Sequence, residues 1–346
     1  MSSLWSFAIE VGWGTTLTIR ALVVLGLIPA GAIILGYTFL LKMMSHMQSR
    51  LGPMDPGGFH GWYQLVGDGI KFLQKEDIMP ARADKRVFAL APAVVVLSTF
   101  LVFVVIPAGP DLIVRDLDVG VFYALAVSSL SVLGVLMAGW ASANKFALLG
   151  ALRAAAQLIA YELPLLLAVV GVVVQAGTMS LQGIVGAQQD GEIFGWGGIG
   201  NPFILTQFVG FFLFLIAAQA ELTQTPFDMP VAETELVSGY MVEYTGFRFL
   251  FFFIGEFGTA FAFAALAATL FLGGWAVPGV TDTGLANVLG PLVLFAKLMA
   301  VAFLMFWVRF TYPRLREDQL QAIAWKFLIP LALANILITG FFKVAL

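Results

Sequence analysis

The sequence predicts an all-α integral membrane protein of about eight transmembrane helices, with an amphipathic interfacial helix in its first large loop. Three observations predict it. Of 346 residues, 60% are hydrophobic and 11% charged, and mean hydropathy is +0.94, a balance that no single soluble core absorbs. Eight apolar runs are long enough to cross ~30 Å of hydrocarbon, which takes about 20 helical residues. The basic residues fall on alternate loops. Backbone groups in hydrocarbon must pair within their own segment, so such runs are helices.

The runs lie near 15–41, 87–107, 120–140, 157–176, 203–222, 247–272, 288–310 and 326–345, within one polytopic domain spanning 1–346. Turn-forming residues separate them: Gly52-Pro53, Pro107 to Pro110, Gly195 to Pro202, Pro226 and Pro230, Pro278-Gly279, and Pro313. No Lys or Arg precedes Arg20, whereas Glu10 does, so the first run is expected to remain in the protein rather than act as a cleaved signal. Loop 42–86 holds Lys42, Arg50, Lys71, Lys75, Arg82, Lys85 and Arg86. With Lys145, Arg153, Arg248, Arg309, Arg314, Arg316 and Lys326, one side collects fourteen of the 18 basic residues. The positive-inside rule makes those loops cytoplasmic and turns both termini outward.

Composition narrows the chemistry. With no cysteine, the chain has no disulfide, thiolate zinc or iron–sulfur ligation, and its two histidines, His46 and His60, are too few for a His-based metal centre or haem pair. A net charge of −3 without a basic tail gives no nucleic-acid signature. A redox group must therefore belong to a partner or arrive as a mobile ligand.

In the first loop, Trp62, Leu65, Val66, Gly69, Phe72 and Leu73 recur at helical spacing opposite Gln64, Asp68, Lys71 and Lys75. Such a helix either rests at the headgroups or walls an opening through which an apolar ligand enters from lipid. Between the fifth and sixth runs, five carboxylates fall from Glu221 to Glu243 with only Arg248 nearby in sequence. Pro230 suits a first helical turn with Asp228 near its cap, so Glu233 and Glu235 are expected to open a helix running through Tyr240 and Tyr244. Crowded carboxylates beside an apolar bundle can share protons near neutral pH. Glu162, Glu221, Glu256 and Lys297 lie in or at the edges of apolar runs, where ionisable residues face a bundle interior or a hydrated cavity. Three acids against one base favour a proton path over a structural pair such as Lys297 with Glu256.

Four blocks carry a family resemblance. They are Met47-Gln48-Ser49-Arg50-Leu51-Gly52-Pro53 with Asp68-Gly69-Ile70-Lys71 and Lys75-Glu76-Asp77; Arg153 through Gln157 to Tyr161-Glu162; Pro226-Phe227-Asp228-Met229-Pro230 with Glu233, Glu235 to Tyr240 and Glu243-Tyr244; and Trp307-Val308-Arg309 through Pro313-Arg314 to Asp318-Gln319-Leu320 and Trp325-Lys326. Over nearly its whole length the chain resembles the subunit 1/H membrane subunit of respiratory complex I, the proton-pumping NADH:quinone oxidoreductase. The resemblance implies an eight-helix multi-pass subunit of the cell inner (plasma) membrane. It would join peripheral-arm quinone-site and iron–sulfur subunits to adjacent small membrane subunits of the pump arm. No cofactor would be bound covalently or through metal ligands, and quinone would be the mobile substrate. Arg50, Trp62, Leu65, Val66, Asp68, Phe72 and Phe227 would line the quinone tunnel. Glu162, Glu221, Asp228, Glu233, Glu235 and Glu256 would begin the route coupling quinone reduction to proton pumping.

The chain departs from the family's usual pattern at Leu40-Leu41-Lys42 in place of Glu-Arg-Lys, at His46, at Met54, at Thr223-Gln224 in place of Asn-Arg, and at Val231. Related complexes take electrons from ferredoxin, reduced deazaflavin or hydrogen, so the donor stays open. A cation-coupled secondary transporter and an inert anchor for a peripheral complex are the competing readings. A transporter would be expected to show symmetric halves with broken helices, and no such internal repeat is found.

Overall fold

The computed structural model describes residues 13–191, 200–280 and 282–345, with the side chains of 13–17, 28, 59, 233 and 234 left outside the description. Among the described residues there is no strand, and every predicted run is at least partly helical. In chain order the helices are α1 (Trp13–Leu35), continued by a π-helical stretch Gly36–Met43 into α2 (Met44–Met47), then α3 (Gln64–Gln74), α4 (Lys85–Val102), α5 (Gly120–Ser128) and α6 (Leu130–Ala141). They continue as α7 (Lys145–Ala176), α8 (Leu181–Gln189), α9 (Phe208–Glu221), α10 (Glu233–Leu236), α11 (Gly246–Phe271) and α12 (Thr283–Thr311). The chain ends in α13 (Glu317–Ile323), a π-helical turn Ala324–Leu328 and α14 (Ile329–Ala345).

Among the described residues, seven helical stretches are long and apolar enough to cross a membrane. The fifth run is the exception. Its helix α9 has 14 residues, or about 21 Å at 1.5 Å per residue. Before it, Phe203 N donates to Gln188 Oε1 at 3.1 Å and Ile204 N to Phe271 O at 2.8 Å, so this non-helical backbone is paired within protein. In the fourth run the helix begins at Lys145 instead of near 157, because Asn144 caps it by accepting from Phe146 N at 2.9 Å. Lys145 and Arg153 therefore stand on a helical extension beyond the apolar stretch.

The expected helix from Glu233 through Tyr240 and Tyr244 is interrupted. Only Glu233–Leu236 is α-helical, and its N-cap, Ala232, makes no side-chain cap bond. Val237 (φ +67°) and Gly239 (φ +57°) then turn the chain back, and a short 3₁₀ turn, Gly239–Met241, follows. The cause is tertiary: a Cβ on Gly150 of α7 would sit 2.6 Å from Gly239 Cα, so the backbones meet where side chains do not fit.

Two aspects of the packing position the site. Phe39, Phe306 and Phe257 stack in series, with centroids 5.3 and 5.8 Å apart, tying the first helix to α12 and α11. Toward the opposite end, Asn335 Nδ2 donates to Gln207 Oε1 at 2.8 Å and Gln207 Nε2 to Thr339 Oγ1 at 2.7 Å, pinning α14 to the start of α9. The end of the bundle that carries the basic loops is thus free to hold a more polar arrangement.

Candidate functional site

The site is built on the turn after α9. Glu221 ends that helix at 9% exposure, and its Oε2 has no hydrogen-bond partner among the described residues. Glu162 of α7 is the charged group acting on it. Gln157, one and a half turns earlier on α7 and 2% exposed, donates to Ala220 O at 2.7 Å and Phe227 O at 2.8 Å. Gln219 donates to Thr225 O at 3.0 Å, and the Thr225–Pro226 bond is cis. Phe227 is buried edge-on to Tyr161 at 5.3 Å, and the Tyr161 hydroxyl donates to Leu320 O at 2.9 Å. Helices α7, α9 and α13 thus hold one turn in one shape.

Around this turn the acids meet bases that are distant in sequence. Arg314 Nη2 donates to Asp228 Oδ2 at 2.7 Å. Arg153 Nη1 reaches Glu235 Oε2 at 2.6 Å while its Nε lies 3.8 Å from Glu317. Glu256 Oε1 accepts from Arg309 Nη1 at 3.2 Å and from Gln224 Nε2 at 3.0 Å. The Arg309 guanidinium also lies over Phe257, Phe306 and Phe310 at 5.7, 5.8 and 5.9 Å. Asn144 Nδ2 donates to Glu243 Oε1 at 2.6 Å. The expectation of a cluster short of bases is therefore corrected. Arg248, the one nearby base, pairs instead with Asp77 at 2.9 Å, while Arg153, Arg309 and Arg314 compensate Glu235, Glu256 and Asp228.

Lys297 does not pair with Glu256. It donates to Gly274 O at 2.8 Å and Ala276 O at 3.2 Å, in the connection that follows α11. The Glu233 side chain lies outside the described residues. Tyr240, buried beside the turn, has its hydroxyl pKa pushed up by burial and by the charges of Glu256 and Asp228. Sequence reasoning did not assign Gln157, Gln224, Arg153, Arg309 or Arg314 to the site. The available signal was position: the three arginines lie on or just beyond long apolar helices, at the end where the acids also cluster.

The residues expected to line a ligand route fall into two places. Trp62 stacks on Tyr37 of the π-helical stretch at 4.1 Å, Leu65 approaches Gly36, and Phe72 stacks on Phe249 of α11 at 5.7 Å. Helix α3 thereby spans from the first helix to α11. Val66 is 46% exposed. Asp68 pairs with Lys71 at 3.1 Å, and exposed Arg50 donates to Gln48 Oε1 at 2.9 Å. Phe227 belongs to a different lining, a cavity of about 300 Å³ with Phe212, Gln219, Trp307 and Tyr312.

An unpaired buried carboxyl beside a second acid, with paired acids around it, can take up and release a proton as the surrounding field changes. An apolar wall between two helices can admit an apolar ligand. The family model described as NADH dehydrogenase matches residues 19–340. The H subunit of the NADH-quinone oxidoreductase of Brevibacillus brevis is 46% identical over 329 residues, covering 95% of this chain and 94% of the relative. The corresponding H subunits of Bacillus thuringiensis and Bacillus anthracis are each 46% identical over 303 residues, covering 87% of this chain and 86% of theirs. With its all-helical architecture and a match that runs almost from end to end, the chain belongs to the NADH dehydrogenase family of membrane proteins.

Proposed function

We propose that this chain is the H-type membrane subunit of a proton-translocating NADH:quinone oxidoreductase. In this reading it forms part of the quinone access tunnel and couples quinone reduction to proton pumping. The observation that carries the coupling is that Glu221 and Asp228 lie on one turn at the basic end of the bundle, with Glu162 acting on Glu221 and Glu256 bonded to Gln224 of the same turn, while Glu235 pairs with Arg153 of α7. The chain sits in the cell inner membrane with both termini outward, so that this turn faces the cytoplasm. Peripheral-arm quinone-site and iron–sulfur subunits dock there, and small membrane subunits of the pump arm flank the bundle. The reacting centre is supplied by those partners; this chain binds, shapes and transmits.

In the assembled complex, Glu221→Gln and Glu256→Gln are expected to lower quinone reduction and proton uptake together, each by about tenfold or more, because a carboxamide keeps the shape but cannot ionise. Turnover and protons per electron are measured per assembled complex in reconstituted vesicles. Parent values in both variants would sink the coupling reading.

The tunnel reading places quinone passage along α3, between the first helix and α11. Val66→Trp is expected to raise the apparent KM for long-tailed quinones several-fold while barely changing it for short-tailed ones, since only a long tail must still occupy the passage. An equal change for both would show that α3 does not line the route.

A further inference from the structure

Buried glutamines in this protein behave in two ways. Gln188 is satisfied at both ends of its amide: Nε2 donates to Thr269 O at 3.0 Å and Ile184 O at 3.3 Å, and Oε1 accepts from Phe203 N at 3.1 Å. Gln207 is likewise paired at both ends, through Thr339 and Asn335. These amides fasten elements together. Gln157, Gln219 and Gln224 each carry a buried Oε1 with no donor among the described residues. Gln157 and Gln219 give their Nε2 to backbone carbonyls of the turn, and of these three it is Gln224, 2% exposed, that gives its own to a carboxylate. Its Nε2 donates to Glu256 Oε1 at 3.0 Å, while its Oε1 is buried with no donor among the described residues. An unpaired buried acceptor costs stability, and in Gln224 that acceptor sits on the same planar amide as the donor to Glu256.

The second donor to Glu256 is chemically unlike the first. Arg309 Nη1 reaches the same oxygen at 3.2 Å, but a guanidinium has donors only. It serves the carboxylate and has nothing to offer the O–H of a protonated carboxyl. An amide carries a donor and an acceptor on one planar group, exchanged by a half-turn about its last bond.

We infer that Gln224 is a positioning residue for Glu256, one that keeps a hydrogen bond to this carboxyl in both of its protonation states. With Glu256 ionised, the Gln224 N–H donates to it, as in the arrangement described. With a proton on Glu256, the carboxyl O–H donates to Gln224 Oε1, the oxygen that is otherwise unpaired. The only net change is one proton gained or lost by Glu256. Gln224 lies on the turn between Glu221 and Asp228, and its carbonyl accepts from Phe227 N at 2.8 Å, so its amide ties the charge of Glu256 to the shape of that turn. The groups facing Glu256 are Arg309 from α12, Gln224 from the turn and Tyr240 from the 3₁₀ turn, with the Asp228–Arg314 pair beyond.

The inference rests on the proposed role of Glu256 as a proton-carrying group, and a double-mutant cycle separates the two. In the intact complex, Gln224→Met is expected to lower kcat for quinone reduction about tenfold, the scale of a lost hydrogen bond to a charged group, with quinone KM and the amount of assembled complex unchanged. In a Glu256→Gln background, the same substitution should cause no further fall. Multiplying losses, or a rise in KM in place of the fall in kcat, would overturn the role of Gln224. If Glu256→Gln itself keeps parent turnover and proton stoichiometry, the proposed role of Glu256 fails instead. Should Glu256→Gln leave too little turnover to divide, the infrared carboxyl C=O stretch that vanishes in Glu256→Gln decides. It should move to higher frequency in Gln224→Met, and an unmoved band would overturn the inference.

Discussion

Gly239→Ala is expected to remove nearly all assembled protein from the membrane. Gly239 holds φ +57°, a left-handed conformation that costs an L-residue roughly 1–2 kcal/mol. The larger penalty is steric. A Cβ there would collide with Pro230 O, a backbone atom that cannot swing aside as a flexible side chain would. Pro230, Gly239 and Gly150 of α7 meet at one point, so relief requires the whole segment from 230 to 241 to move. That segment carries Glu233 and Glu235 and leads into buried Tyr240. A combined cost of about 4 kcal/mol or more is a large share of the ~5–15 kcal/mol that stabilises a typical folded protein. The measurement is the yield of membrane-inserted protein and of assembled complex, against Gly340→Ala as a control, where a Cβ meets nothing within 4 Å. Normal assembly of Gly239→Ala would show that this crossing is not required.

Arg309→Met should be the most damaging single removal of a charge. It leaves the Glu256 carboxylate, 28% exposed at its side chain, with only the Gln224 amide as donor, and takes a cation off the faces of Phe257, Phe306 and Phe310. Breaking a buried pair by removing one partner costs roughly 3–5 kcal/mol; partial exposure here reduces that to about 2 kcal/mol. Methionine keeps most of the stem, so the loss is mainly electrostatic. Thermal inactivation of the complex should begin several degrees lower than in the parent, and adding Glu256→Gln should restore most of the difference, because the stranded charge is then gone. If the double variant is no more stable than Arg309→Met alone, the damage comes from packing and not from the uncompensated acid.

Much of the architecture is local and was therefore legible. Each apolar run answers to the transfer of its own side chains into hydrocarbon, a property of adjacent residues, and the runs near 247–272 and 288–310 match α11 and α12 within a few residues. The spacing of Trp62, Leu65, Val66 and Phe72 likewise predicts α3. The misreadings lie where distant segments compete with local preference. Glu233, Thr234 and Glu235 read as the start of a long helix, yet the close approach of Gly150 to Gly239 ends it after one turn. The short α9 follows from backbone pairing of 203 and 204 with α8 and α11, to which local hydropathy is blind.

By itself the sequence determined the class of the protein, the location of its apolar segments, the acid-rich stretch between the fifth and sixth of them, and the motifs of its family. Only the tertiary structure decided which acids have partners. Arg153, Arg309 and Arg314 stand 82, 53 and 86 residues from Glu235, Glu256 and Asp228, and Gln224 stands 32 from Glu256. Periodicity records what a helix buries along its own length, whereas the charge state of a carboxyl depends on whatever lies within a few ångströms in space. Chain folding sets those distances, and no local pattern encodes them.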